Sequence, residues 1–502
     1  YTLPPADAAS GRTPEERGFS LVSLAWVLRT ALAPIGEIRT KHVTCVRRTT
    51  PSGGARHPTE LAVVLAGPLG EVPGGTYTYD IASHTLVAER SDVHRTYVRA
   101  LDGHEFGLVV RTRVERPMWR YRDLRALRPV LIDAGHVVEV VTFLLGQVGV
   151  STRAISPPMA PAGVSWLEEP EVVLVRPWVA GEDEPRGRAA SQQGRSQVPE
   201  NADAYLTNPA VVLRFGQAMY ASALWPSVKD TRIDFTDFLI LNHCLPSSRN
   251  DRDTSVAGIL AAVPSASAAA IERLRDGAGL LPVRDAEVLY GGGNLWVRHE
   301  WYMALLAYLE ALSYGVERPV TSRIHSDFSY IGDIGVVTRR HTSRTFSSAA
   351  LSWAHVDQLL RRVFANVSHP GLDISLVAWN VRGLDLALYR WRGGELSNIG
   401  EAPMRDAVTA NSAGQTAVSS GALAMWVSII TDVSRPERYV MDLVDLGRLG
   451  QRICLAATDL DMAVFLTPAV HDRGTCSLLD IGDADCRLTY VFGLGVDAPS
   501  TT

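Results

Sequence analysis

The sequence predicts an α+β fold built from two copies of one unit joined in a single chain. Three observations predict it. Segments of the first half return 312 positions later in the second. Each copy offers an apolar run, a Gly-containing turn and a short aromatic-bearing run, which read as two strands joined by a loop. Each copy then ends in a long amphipathic helix rather than in alternating βαβ units, which separates α+β from α/β.

In chain order, 20-SLVSLAWVLRTALA-33 reads as a first helix, and 60-ELAVVLAG-67 with 75-GTYTYDI-81 as strands. The segment 131-LIDAGHVVEVVTFLLGQVGV-150 is a helix with apolar residues at spacings of three and four. In the second copy, 351-LSWAHVDQLLRRVF-364 matches the first helix, and 372-LDISLVAWN-380 and 386-LALYRWRGG-394 match the strands. His57-Pro58 returns as His369-Pro370, and Tyr77 and Tyr79 as Tyr389 and Trp391. The long helix returns without a gap as 443-LVDLGRLGQRICLAATDLDM-462, with Leu131, Asp133 and Gly135 repeated as Leu443, Asp445 and Gly447. Several segments sharing one offset make duplication the simplest account.

These repeats divide the chain into a first copy (1–182), an insert without a partner (183–330) and a second copy (331–502). Within the insert, 265–278 and 296–314 read as helical. The polar stretch 181–203 reads as a mobile loop.

With 502 residues, 46% hydrophobic and 21% charged, and a net charge of −5, the chain is an ordinary globular protein with no electrostatic case for nucleic acid. No apolar run free of charge reaches membrane length, and no signal-peptide pattern opens the given sequence. Five cysteines, odd in number and without CxxC spacing, argue against a disulfide framework or a structural zinc site and fit a reducing cytoplasm. Thirteen histidines form no HxxxH or HExxH pair, so no metal site is expected. Lys41 and Lys229 are the only lysines among 49 basic residues, a bias typical of a GC-rich genome.

Two segments carry chemistry. In 47-RRTTPSGGARHPTE-60, Arg48 leads into Pro51, Ser52, Gly53 and Gly54, which bear almost no side-chain bulk. A flavin mononucleotide (FMN) needs such a turn: backbone approaching a flat ring, with guanidinium groups and N–H donors for a phosphate. An ordinary surface turn would read the same way. In the second copy, 340-RHTSRTF-346 offers Arg340, His341, Thr342 and Arg344 near a helix start, suited either to a phosphate or to solvent.

The runs RRTTPSGGARHPTELAVVL, GGTYTYDIASHTLVAE and WRYRDLRALRPVLIDAGHVVEVVTFLLGQVGV resemble, in order and spacing, the SagB/McbC-type dehydrogenases of the nitroreductase superfamily. The resemblance covers residues 10–182 and, more faintly, 335–495, where RHTSRTF is similar to the family's phosphate motif. It implies a tandem nitroreductase-like, FMN-dependent fold whose two copies face each other as an intramolecular pseudo-dimer. Nitroreductase-type enzymes are dimers with flavins at the interface, each gripped by the phosphate motif of one subunit and the Pro-Ser turn of the other. Here the first copy reads 13-TPEERGF-19 where the phosphate motif belongs. The 312 offset sets Phe364, Ala365 and Asn366 against Ser52, Gly53 and Gly54. One complete site is therefore expected, with Pro51–Gly54 on the flavin ring and Arg340, Thr342 and Arg344 on its phosphate.

The resemblance further implies oxidation of thiazoline or oxazoline rings in a ribosomal precursor peptide to thiazoles or oxazoles, as in thiopeptide and linear azole-peptide biosynthesis. Oxygen would reoxidise the flavin, and a cyclodehydratase or leader-binding protein would be a further partner. The family's Lys-Tyr pair falls at 119-WRYR-122 as Arg120 and Tyr121. Arginine stays protonated and is a poor base, so Tyr121 is the acid/base candidate and Arg120 a stabiliser of negative charge. His136 in the AGH of the helix is a second candidate, or a core histidine. Two other readings stand beside this one: an NAD(P)H-dependent nitroreductase-type enzyme, and a catalytically dead scaffold that binds precursor peptide.

Overall fold

The computed structural model describes residues 1–5, 19–39, 44–89, 91–118, 127–157, 170–179, 204–208, 211–215, 219–223, 229–245, 253–283, 286, 296, 304–305, 308–309, 320–325, 330–432, 435–482 and 486–498. Two six-stranded antiparallel sheets dominate it. The first comprises β1 (Thr59–Leu65), β2 (Gly75–Asp80), β3 (Thr85–Ala88), β4 (Phe106–Thr112), β5 (Thr152–Ile155) and β6 (Glu171–Pro177), in the order β3-β2-β1-β4-β6-β5. The second comprises β7 (Leu372–Ala378), β8 (Ala387–Arg392), β9 (Glu395–Glu401), β10 (Leu423–Ile430), β11 (Ala463–Thr467) and β12 (Arg487–Gly495), in the order β9-β8-β7-β10-β12-β11. The topologies are identical. Register agrees as well: Leu65 faces Phe106 in the first sheet, and Ala378 faces Leu423 in the second.

Every residue of β1 is buried, as expected of a central strand covered on both faces. Helix α1 (Leu21–Leu32) starts at Ser20, whose side chain accepts from the Ser23 amide at 3.2 Å and satisfies one free donor of the first turn. It buries Leu24, Val27, Leu28, Ala31 and Leu32. Helix α2 (Leu127–Gln147) is buried from Leu127 through Leu145 apart from Pro129, which is partly buried. Its length and composition would suit a bilayer, but 89% of its apolar window lies inside protein. Helix α3 (Trp353–Phe364) matches α1, and α4 (Pro436–Asp459) matches α2.

The copies differ before β1 and β7. In the first, an antiparallel hairpin, Pro34–Arg39 with Thr44–Arg48, separates α1 from β1 and carries the Pro51–Gly54 turn at its end. The second copy passes from α3 into β7 without such a hairpin, and Phe364 is a core residue against Trp391. Phe364–Asn366, which the 312 offset sets against Ser52–Gly54, is the end of a helix, so the second copy has no small-residue turn at this place, as expected.

The insert contains three antiparallel strands (Val211–Phe215, Met219–Ala223, Lys229–Ile233) and three helices (Phe235–His243, Val256–Ala262, Ala268–Asp276), and Ala221, Ile233, Ile240, Ile259, Ile271 and Leu274 belong to an apolar core separate from that of the two copies. The last of these helices lies in the predicted 265–278, and Trp296, Ala304, Leu305, Tyr308 and Leu309 are helical in the predicted 296–314. The expected loop 181–203 falls outside the described residues. Residues 320–322 return along the edge of the first sheet: Ser156 donates to Val320 O at 2.8 Å, and Ser322 to Ala154 O at 2.9 Å.

Candidate functional site

The Pro51–Gly54 turn is held from below by α2. Ser52 Oγ donates to Asp133 Oδ2 at 2.6 Å, and the Gly53 amide donates to both carboxylate oxygens at 3.1 and 3.2 Å. The His57 amide closes the loop on Ser52 Oγ at 2.9 Å. Gly54 adopts φ +63°, in the left-handed region that costs glycine little. Arg48, Pro51, Ser52, His57, Asp133 and Val137 line a small cleft at this turn.

The second copy meets the first at the same place. Arg340 Nε donates to Thr49 O at 2.7 Å, and its Nη2 to Arg48 O at 3.1 Å. Arg47 answers with a bond to Arg340 O at 3.3 Å. The two segments expected to form one site thus touch across 291 residues of sequence. The detail differs from the expectation. Arg340 is buried at 4% exposure and donates to two backbone carbonyls and to Thr342 Oγ1, so it joins the copies. His341 is exposed and bonds Asp497 at 2.8 Å, and Ser343 Oγ donates to the same carboxylate. Arg344 is exposed, 5.9 Å from the Phe465 ring centroid. Of the motif, Thr342 and Arg344 remain open to an anion.

The cleft is electropositive. Burial and the charges of Arg48, Arg340 and Arg116 push His57 down to about 4, so it is neutral at ordinary pH. Arg48 Nε is buried and lacks a hydrogen-bond partner among the described residues. A buried cationic donor without an acceptor is costly alone and fits an anionic ligand. Burial pushes Asp133 up to about 7, against the bonds from Ser52 and Gly53 that favour its charged form.

His136 is not available as a base. It is fully buried, with Nδ1 3.0 Å from Gln451 Oε1 and Nε2 3.0 Å from Tyr490 Oη, and burial depresses it to about 3. It is a core link between the copies. Arg120 and Tyr121 lie outside the described residues.

The long helices reveal a second, altered copy of the turn. Asp445, the repeat of Asp133, accepts from Ser322 Oγ and from the Arg323 amide at 3.0 Å. Ser322–Arg323 thus stands against Asp445 as Ser52–Gly53 stands against Asp133, with arginine in the glycine's place. The Ser322-bearing segment precedes 340-RHTSRTF-346 in the chain, whereas Ser52 follows α1, so a fixed offset could not find it. Asp133 was visible in the sequence only as a repeated residue, and Asp497 carried no signal.

No protein-family model matches the chain. A stretch is 33% identical over 104 residues to the trifolitoxin-processing protein TfxB of Rhizobium leguminosarum bv. trifolii, covering 18% of this chain. The match spans 27% of that relative, about a quarter of its length. A crystal structure of a nitroreductase from Anabaena variabilis aligns over 98% of this chain and 91% of its own, at TM-score 0.60 and 16% identity. The Escherichia coli microcin synthetase McbBCD complex with truncated pro-MccB17 aligns over 32% of this chain and 70% of that one, at 16% identity. Its TM-score of 0.28 is too low to carry an argument. The chain has the nitroreductase fold along its whole length.

Proposed function

We propose that this nitroreductase-fold chain, of the SagB/McbC type, is an FMN-dependent oxidoreductase. It converts thiazoline or oxazoline rings of a ribosomally made peptide to thiazoles or oxazoles. The observation that carries the reading is the bonding of Arg340 to the carbonyls of Thr49 and Arg48. It brings the phosphate-type motif of one copy to the Pro-Ser turn of the other, where the fold's dimeric form would need them. The trifolitoxin-processing relative supports a peptide substrate.

Arg48, with its unpartnered buried Nε, together with Thr342 and Arg344, would hold the anionic end of FMN. Ser52, Gly53 and Gly54 would present backbone to the ring. Bound FMN supplies a two-electron acceptor. The chain supplies placement and a proton path. Tyr121, held as the phenolate by the charges of Arg120 and Arg122, would take the ring proton, and Arg120, which stays charged, would stabilise the anion that develops. The units 1–182, 183–330 and 331–502 serve as first copy, peptide-side insert and second copy.

The test is a purified chain reconstituted with excess FMN, its visible spectrum and its flavin-to-protein ratio, followed by a thiazoline-peptide assay in air. Azole formation with bound flavin supports the reading. NADPH oxidation without azole formation points to a general nitroreductase. A chain that takes up no FMN is a scaffold.

A further inference from the structure

We propose that Asp133 is a positioning residue for the cofactor, fixing the Ser52–Gly54 turn in the shape that receives the flavin. The inference rests on the FMN reading above. Its geometry is independent of it. One buried carboxylate takes the Ser52 hydroxyl and the Gly53 amide, and Ser52 Oγ in turn takes the His57 amide. A single anion therefore sets both the entry and the exit of a turn whose residues lack side chains to pack. Arg340 fixes the carbonyls just before it, at Arg48 and Thr49. The turn is held by a cation of one copy and an anion of the other.

The strongest support is repetition by a different route. Asp445 catches Ser322 Oγ and the Arg323 amide, and the Ile324 amide donates to Ser322 Oγ at 3.2 Å, as His57 does to Ser52. The serine-bearing segments occupy unlike places in the chain, yet both close on the same helix position. The motif is thus a device of the helix and not an accident of one loop. Burying an ionised carboxylate costs free energy, and Asp133 is pushed up to about 7 by that burial. A residue present only for stability would lose melting temperature and FMN affinity together when its charge is removed.

That contrast supplies the experiment. The full chain is prepared as wild type, Asp133→Asn and Asp133→Ala. FMN affinity is read by quenching of flavin fluorescence at pH 8, melting temperature by calorimetry, and amide hydrogen exchange over residues 50–58 without FMN. The expected result for Asp133→Ala is a rise of at least about tenfold in the FMN dissociation constant, with faster exchange at Gly53 and His57. Asp133→Asn, which keeps one acceptor, recovers part of the affinity and melts no lower than wild type. Affinity within about twofold of wild type in both variants overturns the proposal. A fall in melting temperature of Asp133→Asn that parallels its loss of affinity also overturns it, since the role is then structural. If wild type binds no FMN, the cofactor reading fails separately. Exchange then decides for Asp133: unchanged rates in Asp133→Ala overturn its hold on the turn, and faster rates support it.

Discussion

Gly135 and Gly447 cross backbone to backbone at the centre of the molecule. A β-carbon on Gly135 would lie 2.1 Å from Val444 O and 2.8 Å from the Gly447 Cα. A β-carbon on Gly447 would lie 2.2 Å from Ile132 O and 2.9 Å from the Gly135 Cα. Ile132 and Val444 are themselves repeat partners, so the crossing maps onto itself when the copies are exchanged. His136 meets Gln451 at 3.0 Å and Arg448 meets Glu139 at 2.8 Å, again the same two positions exchanged. This is the self-complementary contact of a two-fold dimer, built inside one chain.

Alanine at either glycine should force α2 and α4 apart. Overpacking of this kind costs about 1–3 kcal/mol or more, because rigid carbonyls and not mobile side chains stand in the way. Denaturant unfolding of Gly135→Ala, Gly447→Ala and the double variant checks it. The double variant should lose less than the sum, since the first substitution already opens the crossing. Either single variant at wild-type stability would contradict the geometry.

Glu139 should be hard to neutralise. It is fully buried and takes Arg448 Nε at 2.8 Å, Arg452 Nε at 2.6 Å and the Tyr330 hydroxyl at 3.0 Å. The two guanidinium groups hold its carboxyl below the usual range despite burial. Glu139→Gln leaves two buried cations sharing no anion, and loss of one partner of such a group costs about 3–5 kcal/mol. Urea unfolding at neutral pH reads this directly. Arg448 also donates to Ser322 Oγ and Ile324 O, so the damage should spread to the second turn.

How far the sequence could be read depended on whether information sat in local pattern or in contact. The duplication, the long helices and their glycines were legible because apolar spacing and identical residues repeat at one offset. Strands β4 and β10 were not, since neither sits beside a motif that the repeat made visible. The juxtaposition of Pro51–Gly54 with 340-RHTSRTF-346 followed from family resemblance. The use made of Arg340 did not, because a guanidinium bound to phosphate and one bound to carbonyls look alike in a string. Ser322 was hidden for a different reason: it reaches Asp445 from the other side of α3 in chain order, breaking the offset on which the comparison ran.

His136 should make the protein acid-sensitive. Its folded value of about 3 lies below the ordinary 6.5, so the unfolded chain binds the proton first and stability is lost as pH falls below about 6.5. At pH 5 the loss from this one group is about 2 kcal/mol. His136→Gln keeps a polar partner for Gln451 and has no proton to gain, so its stability should change less between pH 7 and pH 5. Parallel pH profiles for the two proteins would show that another group governs the acid limb.

The two turns can be tested against each other by moving one residue. Arg323 keeps its amide on Asp445, which shows that a large side chain at this position is compatible with the hydrogen bond that holds the turn. Gly53→Arg should therefore fold, because the Gly53 amide can still reach Asp133 and the residue does not need a positive φ. What changes is the surface offered to the flavin: a guanidinium and its stem stand where bare backbone was. The expected outcome is wild-type melting temperature with FMN binding reduced at least about a hundredfold, against one FMN per chain in the wild type at saturation. A Gly53→Arg chain that still binds FMN tightly would place the cofactor elsewhere. A wild type that binds two would mean that Arg323 does not close the second site.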